Sequence, residues 1–224
     1  MENKKTYTLN LECVKTGYAN GIAPGFPFTE KEKWSMVDEA AEAYGKFLDA
    51  LGCDWRNDPN SSDTPRRVAK AYVFDLWKGR YEAMSDITSF PSDGYQGIVL
   101  EKDIPLISQC SHHHQTIMGV VHIAYIPGPE GNVVGLSKLN RIVDHFGRRG
   151  AIQEQLTMAI HNAIDKICEG NVGVMVMVKA THNCVSCRGV KHQGASMMTS
   201  EVSGVFADHT KTAKMEVLEM IKMG

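Results

Sequence analysis

Two strand-like stretches, Ile117 to Ile126 and Val172 to Ala180, flank a pair of amphipathic helical patterns, and this order narrows most what the chain can fold into. In the first stretch Val121, Ile123 and Tyr125 alternate with Val120, His122 and Ala124, the period of a strand with one face on a core. The turn Pro127-Gly128-Pro129-Glu130-Gly131-Asn132 closes it. One helix is predicted from Ser137 to about Phe146. A second runs from about Ala151 to Ile167 and carries Ile152, Leu156, Ile160, Ala163, Ile164 and Ile167 on one face. A short strand at Ile98-Val99-Leu100 precedes this block. Another strand between Ala195 and Phe206, and a helix from Thr210 to Met223, follow it. Strand, strand, helix, helix, strand, strand, helix predicts an α+β fold, with an antiparallel sheet covered on one face by the helix pair.

Upstream the texture is helical. Thr29 and Glu32 have capping-box spacing, and Val37, Ala40, Ala41, Tyr44, Phe47, Leu48 and Leu51 form a stripe that Gly52 ends. Thr64-Pro65 starts a second helix, with Thr64 as the expected cap, running through Val68, Tyr72 and Leu76 to Gly79. The organisation expected is an extended arm over 1–28, a helical region over 29–95 and a catalytic domain over 96–224. A chain of 224 residues with 43% hydrophobic and 22% charged residues can bury a core of that size.

A net charge of −2 gives no reason to expect nucleic acid or a membrane surface as partner. There is no run of apolar residues long enough to span a bilayer, and the first residues lead into no signal-type hydrophobic region, so a cytoplasmic protein is expected. In such a compartment cysteines serve metals or catalysis more often than disulfides. Of the six, Cys13, Cys53 and Cys168 are expected to be buried or inert.

The others fall in two Cys/His clusters about seventy residues apart, Cys110-Ser111-His112-His113-His114 and His182-Asn183-Cys184-Val185-Ser186-Cys187-Arg188. Thiolate and imidazole are the ligands zinc prefers. Cys110 and His113 are spaced so that a turn or strand end lets both reach one ion, and Cys184, at the end of a strand, is the natural third ligand. Two cysteines, a histidine and a water form a catalytic zinc set that supplies hydroxide at neutral pH. A closed structural site completed by Cys187 or a second imidazole, and a redox pair Cys184/Cys187, are the alternatives. His112 and His182 lie close enough to the proposed ligands to exchange protons with a substrate.

A third constellation is Gly135-Leu136-Ser137-Lys138-Leu139-Asn140-Arg141, read as a helix start with Ser137 as cap. Free N–H groups there, with Lys138 and Arg141 one turn apart, suit a phosphate. Arg188, Arg67 and Lys70 are further anion contacts. Gln153 and Glu154 open the next helix, where a carboxylate can accept two parallel hydrogen bonds from a guanine edge.

Taken together, Cys110-x-His112-His113, Gly135 to Val143, Gln153 to Thr157, His182-x-Cys184-x-x-x-Arg188-Gly189 and Thr64 to Lys70 resemble GTP cyclohydrolase I, in order and interval, over roughly residues 30–222. The resemblance implies a tunnelling fold preceded by an N-terminal helical extension, and a homodecamer of two pentamers with active sites at subunit interfaces. It implies zinc on Cys110, His113 and Cys184, proton transfer by His112 and His182, and guanine recognition by Glu154 with Gln153. Leu136, Ser137, Lys138, Arg141, Arg188, Arg67 and Lys70 become ribose and triphosphate contacts, with Ser137 also taking part in the sugar rearrangement. The implied reaction adds water to C8 of GTP, releases formate and closes to 7,8-dihydroneopterin triphosphate, a precursor of folate, biopterin or deazapurines. Two positions depart from the family pattern: Ser111 stands where it usually has Glu, and His114 where it has an apolar residue. The rival readings are another tunnelling-fold pterin or deazapurine enzyme with a different substrate, and a zinc-stabilised binding module.

Overall fold

The computed structural model describes residues 5–7, 23 and 25–223, so most of the expected N-terminal arm, Cys13 included, lies outside them. The chain forms two compact units. One is Ile22–Ala83; the other is Met84–Gly224 together with the N-terminal strand.

The first unit is helical because its ends are capped and its stripes have somewhere to pack. Helix α1 (Glu30–Ala50) opens on the predicted capping box: the Glu32 N–H donates to Thr29 Oγ1 at 3.3 Å, and the Thr29 N–H to Glu32 Oε2 at 2.7 Å. Helix α2 (Thr64–Ala71) differs from expectation at both ends. Asp63 takes the cap position, with Thr64 and Pro65 already inside the helix. Beyond Ala71 the path continues as a π turn over Tyr72–Leu76 and a 3-10 turn over Lys78–Arg80. Val37, Ala69, Val73 and Tyr81 form the core of this unit, with Phe28, Trp34 and Phe74 against it.

The second unit contains two antiparallel sheets. Strands β1 (Lys5–Tyr7), β2 (Ile87–Pro91) and β5 (Asn132–Val134) make a small one in the order β1-β2-β5. Such short strands carry too few residues to show a period, and the sequence did not announce β2 or β5. The larger sheet runs β3-β4-β6-β7, from β3 (Val99–Gln109), β4 (Thr116–Pro127), β6 (Asn171–His182) and β7 (Met197–Val202). Strand β3 extends far past the predicted Leu100. A bulge at Lys102-Asp103, with Asp103 at φ 60°, interrupts the alternation, after which Ile104, Leu106 and Ser108 turn inward. Pro105 is tolerated because β3 is an outer strand.

Helices α3 (Leu136–Gly147) and α4 (Gln153–Ile167) cover one face, α3 lying on β3 and α4 on β6 and β7. The inward residues of β4 (Ile117, Val121, Ile123, Tyr125) are fully buried, as the predicted alternation requires. After β6 comes the short helix α5 (Asn183–Ser186), and α6 (Ala213–Lys222) ends the chain. Helix α6 packs its Val217 with Ala124, Met175 and Phe206 on the opposite sheet face. Among the described residues no helix is long and apolar enough to cross a membrane.

Close approach inside the sheet makes one glycine obligatory. A Cβ on Gly119 would lie 2.0 Å from the Lys179 carbonyl oxygen and 2.6 Å from the Ala180 Cα. Neither is a flexible side-chain end, so Gly119→Ala must shift β4 from β6. The expected cost is about 3 kcal/mol, seen as a thermal unfolding midpoint lower by roughly 6–12 °C.

Candidate functional site

The register of the large sheet assembles the site. Ile117 pairs with His182, so the end of β6, which carries the second Cys/His cluster, lies beside the β3–β4 turn, which carries the first. That turn is tight. The Cys110 N–H donates to the Gln115 carbonyl and the His114 N–H to the Cys110 carbonyl, both at 2.9 Å, and His114 reaches φ 50°. Cys110 also forms a parallel bridge with Ala151, just ahead of α4. The Ala151 N–H donates to the Gln109 carbonyl at 2.9 Å, tying the turn to the start of that helix.

Cys110, His113 and Cys184 come together with one ligand atom each, all within 4.8 Å of one another. Cys110 is buried, Cys184 half-buried and His113 exposed, so the group opens to solvent on its imidazole side. Ligand atoms around one tetrahedral zinc lie ~3.3–3.8 Å apart for bonds of about 2.0–2.3 Å. Small side-chain rotations therefore close this group on an ion. Its electrostatics point the same way: burial pushes the Cys184 thiol up, and the neighbouring Cys110 pushes it further. A divalent cation beside the Cys184 sulfur would stabilise its thiolate against that rise. Cys187 stands apart, exposed, with its sulfur 3.7 Å from Ser186 Oγ. The residues fit a three-ligand site rather than a closed one that includes Cys187.

His182 is half-buried at the strand end, with Nε2 2.8 Å from Gln153 Oε1. Burial pushes its imidazole below the usual range, and the Glu154 carboxylate partly offsets this. His112 is exposed, its ring edge-on to His113 with centroids 6.3 Å apart. The other buried histidines are bonded elsewhere: His122 to the Asp103 N–H, His145 to Arg149 and His161 to Ser203.

Gln153 and Glu154 part company in the structure. Glu154 is exposed in the first turn of α4 and available to a ligand. Gln153, expected to read guanine beside it, is 1% exposed. Its Nε2 lies 3.1 Å from the Val178 and Met197 carbonyls and from Thr199 Oγ1. The side chain is committed to the sheet and to His182, which removes it from direct contact with a ligand. Thr157 and Thr199, unmarked in the sequence reading, complete this cluster, with their hydroxyls 2.6 Å apart. Thr157 was readable, since it follows Gln153 by one helical turn; Thr199 lies on a strand that no local signal linked to the site.

Gly135, not Ser137, takes the cap position of α3, with no side-chain cap hydrogen bond among the described residues. Leu136 and Ser137 are exposed in that turn, Lys138 is half-buried, and Arg141 reaches Ser85 Oγ at 3.4 Å. The Tyr125 hydroxyl accepts the Val134 N–H at 2.9 Å and so anchors the approach to this turn. Arg188 is exposed and near enough to Cys184 to favour its thiolate. Arg67 and Lys70 belong to the helical unit. There Arg67 pairs with Asp63 at 3.2 Å, and Lys70 lies 5.6 Å from the centroid of the Trp34 ring.

Residues 40–222 match the family model of GTP cyclohydrolase I. Curated relatives named GTP cyclohydrolase 1 from Bacillus mycoides (strain KBAB4) and Bacillus cereus (strain B4264) are each 40% identical over 190 residues, covering 83% of this chain and 96% of theirs. A crystal structure of the archaeosine synthase QueF-Like in the apo form is similar over 48% of this chain and 93% of its own, at 20% identity and a TM-score of 0.39, too low to carry a conclusion.

Proposed function

The chain belongs to the GTP cyclohydrolase I family, and on that premise we propose that it is a zinc-dependent enzyme opening the purine of GTP at C8, releasing formate and forming 7,8-dihydroneopterin triphosphate. The observation that carries this reading is one juxtaposition: the Cys110, His113 and Cys184 donors stand next to a half-buried imidazole at His182, and an exposed carboxylate at Glu154 lies within its electrostatic reach.

Zinc, when bound by these three residues, is a Lewis acid that lowers the pKa of water to about 7. The chain's own residues supply the rest. Glu154 accepts the N1–H and exocyclic amine of guanine, which fixes the purine's orientation. His182 donates a proton to the imidazole nitrogen that leaves C8 as the ring opens. A second water releases C8 as formate, and closure of the new ring returns one water, so the net reaction consumes one. His112 and Ser137, both exposed, are the groups for proton movement during the sugar rearrangement. Lys138, Arg141 and the uncapped first turn of α3 hold phosphate oxygens. Arg188 adds charge from the metal side, and Arg67 and Lys70 are assigned to the triphosphate by family resemblance. The same resemblance supports a homodecamer acting in the cytoplasm, and the outer strands β3 and β7 offer edges for side-by-side assembly.

The test is formate and a pterin triphosphate from GTP with the zinc-loaded protein, abolished by a chelator and restored by zinc. A zinc-loaded chain that leaves GTP intact sinks the reading. Glu154→Ala is expected to lower kcat/KM for GTP by roughly 5- to 150-fold, the effect of about 1–3 kcal/mol for leaving guanine donors unpaired. Steady-state kinetics check this, and unchanged constants would remove Glu154 from guanine recognition.

A further inference from the structure

We infer that Gln153 is a positioning residue that holds His182 in the Nε2-protonated tautomer, a role that rests on the reading of His182 as the proton donor. The hydrogens in this cluster leave one arrangement of donors and acceptors. The Thr157 hydroxyl donates to the Gln153 carbonyl at 2.8 Å, so it cannot also donate to Thr199. The Thr199 hydroxyl, 2.6 Å away, must therefore donate to Thr157 Oγ1, leaving its own oxygen as an acceptor.

Gln153 Nε2 has two hydrogens and faces three acceptors at 3.1 Å, the Val178 carbonyl, the Met197 carbonyl and Thr199 Oγ1. Turning the amide over would set Oε1 against two carbonyl oxygens with no proton between them. The amide orientation is thus determined by the sheet, and Oε1 is the atom left to meet His182 at 2.8 Å. An amide oxygen only accepts, so His182 Nε2 must carry the hydrogen. In the neutral ring Nδ1 is then the nitrogen without a hydrogen. With Gln153 1% exposed, water has little access to replace this contact. Strand β7 and helix α4 thereby set the chemistry of a residue on β6 through a single amide.

The experiment uses the full zinc-loaded chain labelled with 15N-histidine. At neutral pH His182, assigned by loss of its signals in His182→Asn, should show protonated Nε2 and bare Nδ1. Gln153→Met keeps the volume but removes the acceptor. It should turn His182 into a tautomer mixture and lower kcat for formate release by about 10–100-fold, with zinc content unchanged and KM for GTP within about threefold of wild type. Thr199→Val, which removes one acceptor and leaves the His182 contact in place, should give a smaller loss of kcat. A wild-type His182 protonated on Nδ1 would overturn the inference, as would a Gln153→Met whose KM rises while kcat holds, since that describes a substrate contact. Should Gln153→Met fail to fold, the wild-type spectrum and Thr199→Val still decide. A wild-type chain inactive on GTP would refute the proposed reaction, while the tautomer spectrum would continue to judge the clamp.

Discussion

Replacing Cys110 or Cys184 by alanine should leave a folded protein that no longer retains zinc on desalting and yields no formate from GTP above background. Four-ligand zinc sites bind with about 10–16 kcal/mol, so one ligand accounts for about 2.5–4 kcal/mol, or about 10²–10³-fold in Kd. The site offers three protein donors, and losing one leaves two. Cys110 is buried, so its truncation also removes a little packing, whereas half-buried Cys184 is free of that complication and is the cleaner variant. Cys187→Ala is the matched control. Its exposed sulfur lies outside the donor group, and zinc content and turnover should match wild type. Metal analysis beside formate release reads both, and zinc lost from Cys187→Ala but kept in Cys184→Ala would transfer the third ligand to Cys187.

The second large effect is expected at His182. Removing a positioned general acid costs typically about 10²–10⁴-fold. His182→Ala should therefore lose activity by that factor in kcat, with zinc still bound by Cys110, His113 and Cys184. Here the informative comparison is with His112→Ala. Both histidines flank the donor group, but His182 is half-buried and bonded to Gln153, while His112 is exposed with its ring edge-on to that of His113. If protonation of the leaving nitrogen belongs to His182, its loss should block formate release, and loss of His112 should leave that step running. Formate release equal to wild type in His182→Ala would remove it from the ring-opening step.

Much of this architecture was legible because long elements carry their period on their surface. The alternation in β4, the stripe of α4 and the capping box of α1 were readable because each has enough residues to repeat. β2 and β5 were not, being too short. The extension of β3 was hidden by the bulge at Lys102-Asp103 and by Pro105, which read as breaks from the sequence and are accommodated at a sheet edge. At the site, residue type and spacing pointed to Cys110, His113 and Cys184. They could not tell Gln153 from Glu154, since adjacent residues on a helix start face different ways and only packing shows which one is covered. Thr199 was invisible for a related reason: its partners lie more than forty residues away in the chain.

The bridge between Cys110 and Ala151 has a geometric consequence. Only two residues, Ile152 and Gln153, separate Ala151 from Glu154, so the donor turn and the carboxylate proposed to bind guanine hang from one short length of backbone rather than from two independent loops. That length works as a ruler. On the proposed reading, a base held at its pyrimidine edge by Glu154 would present to the Cys110, His113 and Cys184 donors only an atom one fused ring away. A heterocycle with a longer or shorter span would bind at one end and miss at the other. In the proposed reaction, selectivity for the purine skeleton would be a matter of span, built into a few peptide bonds.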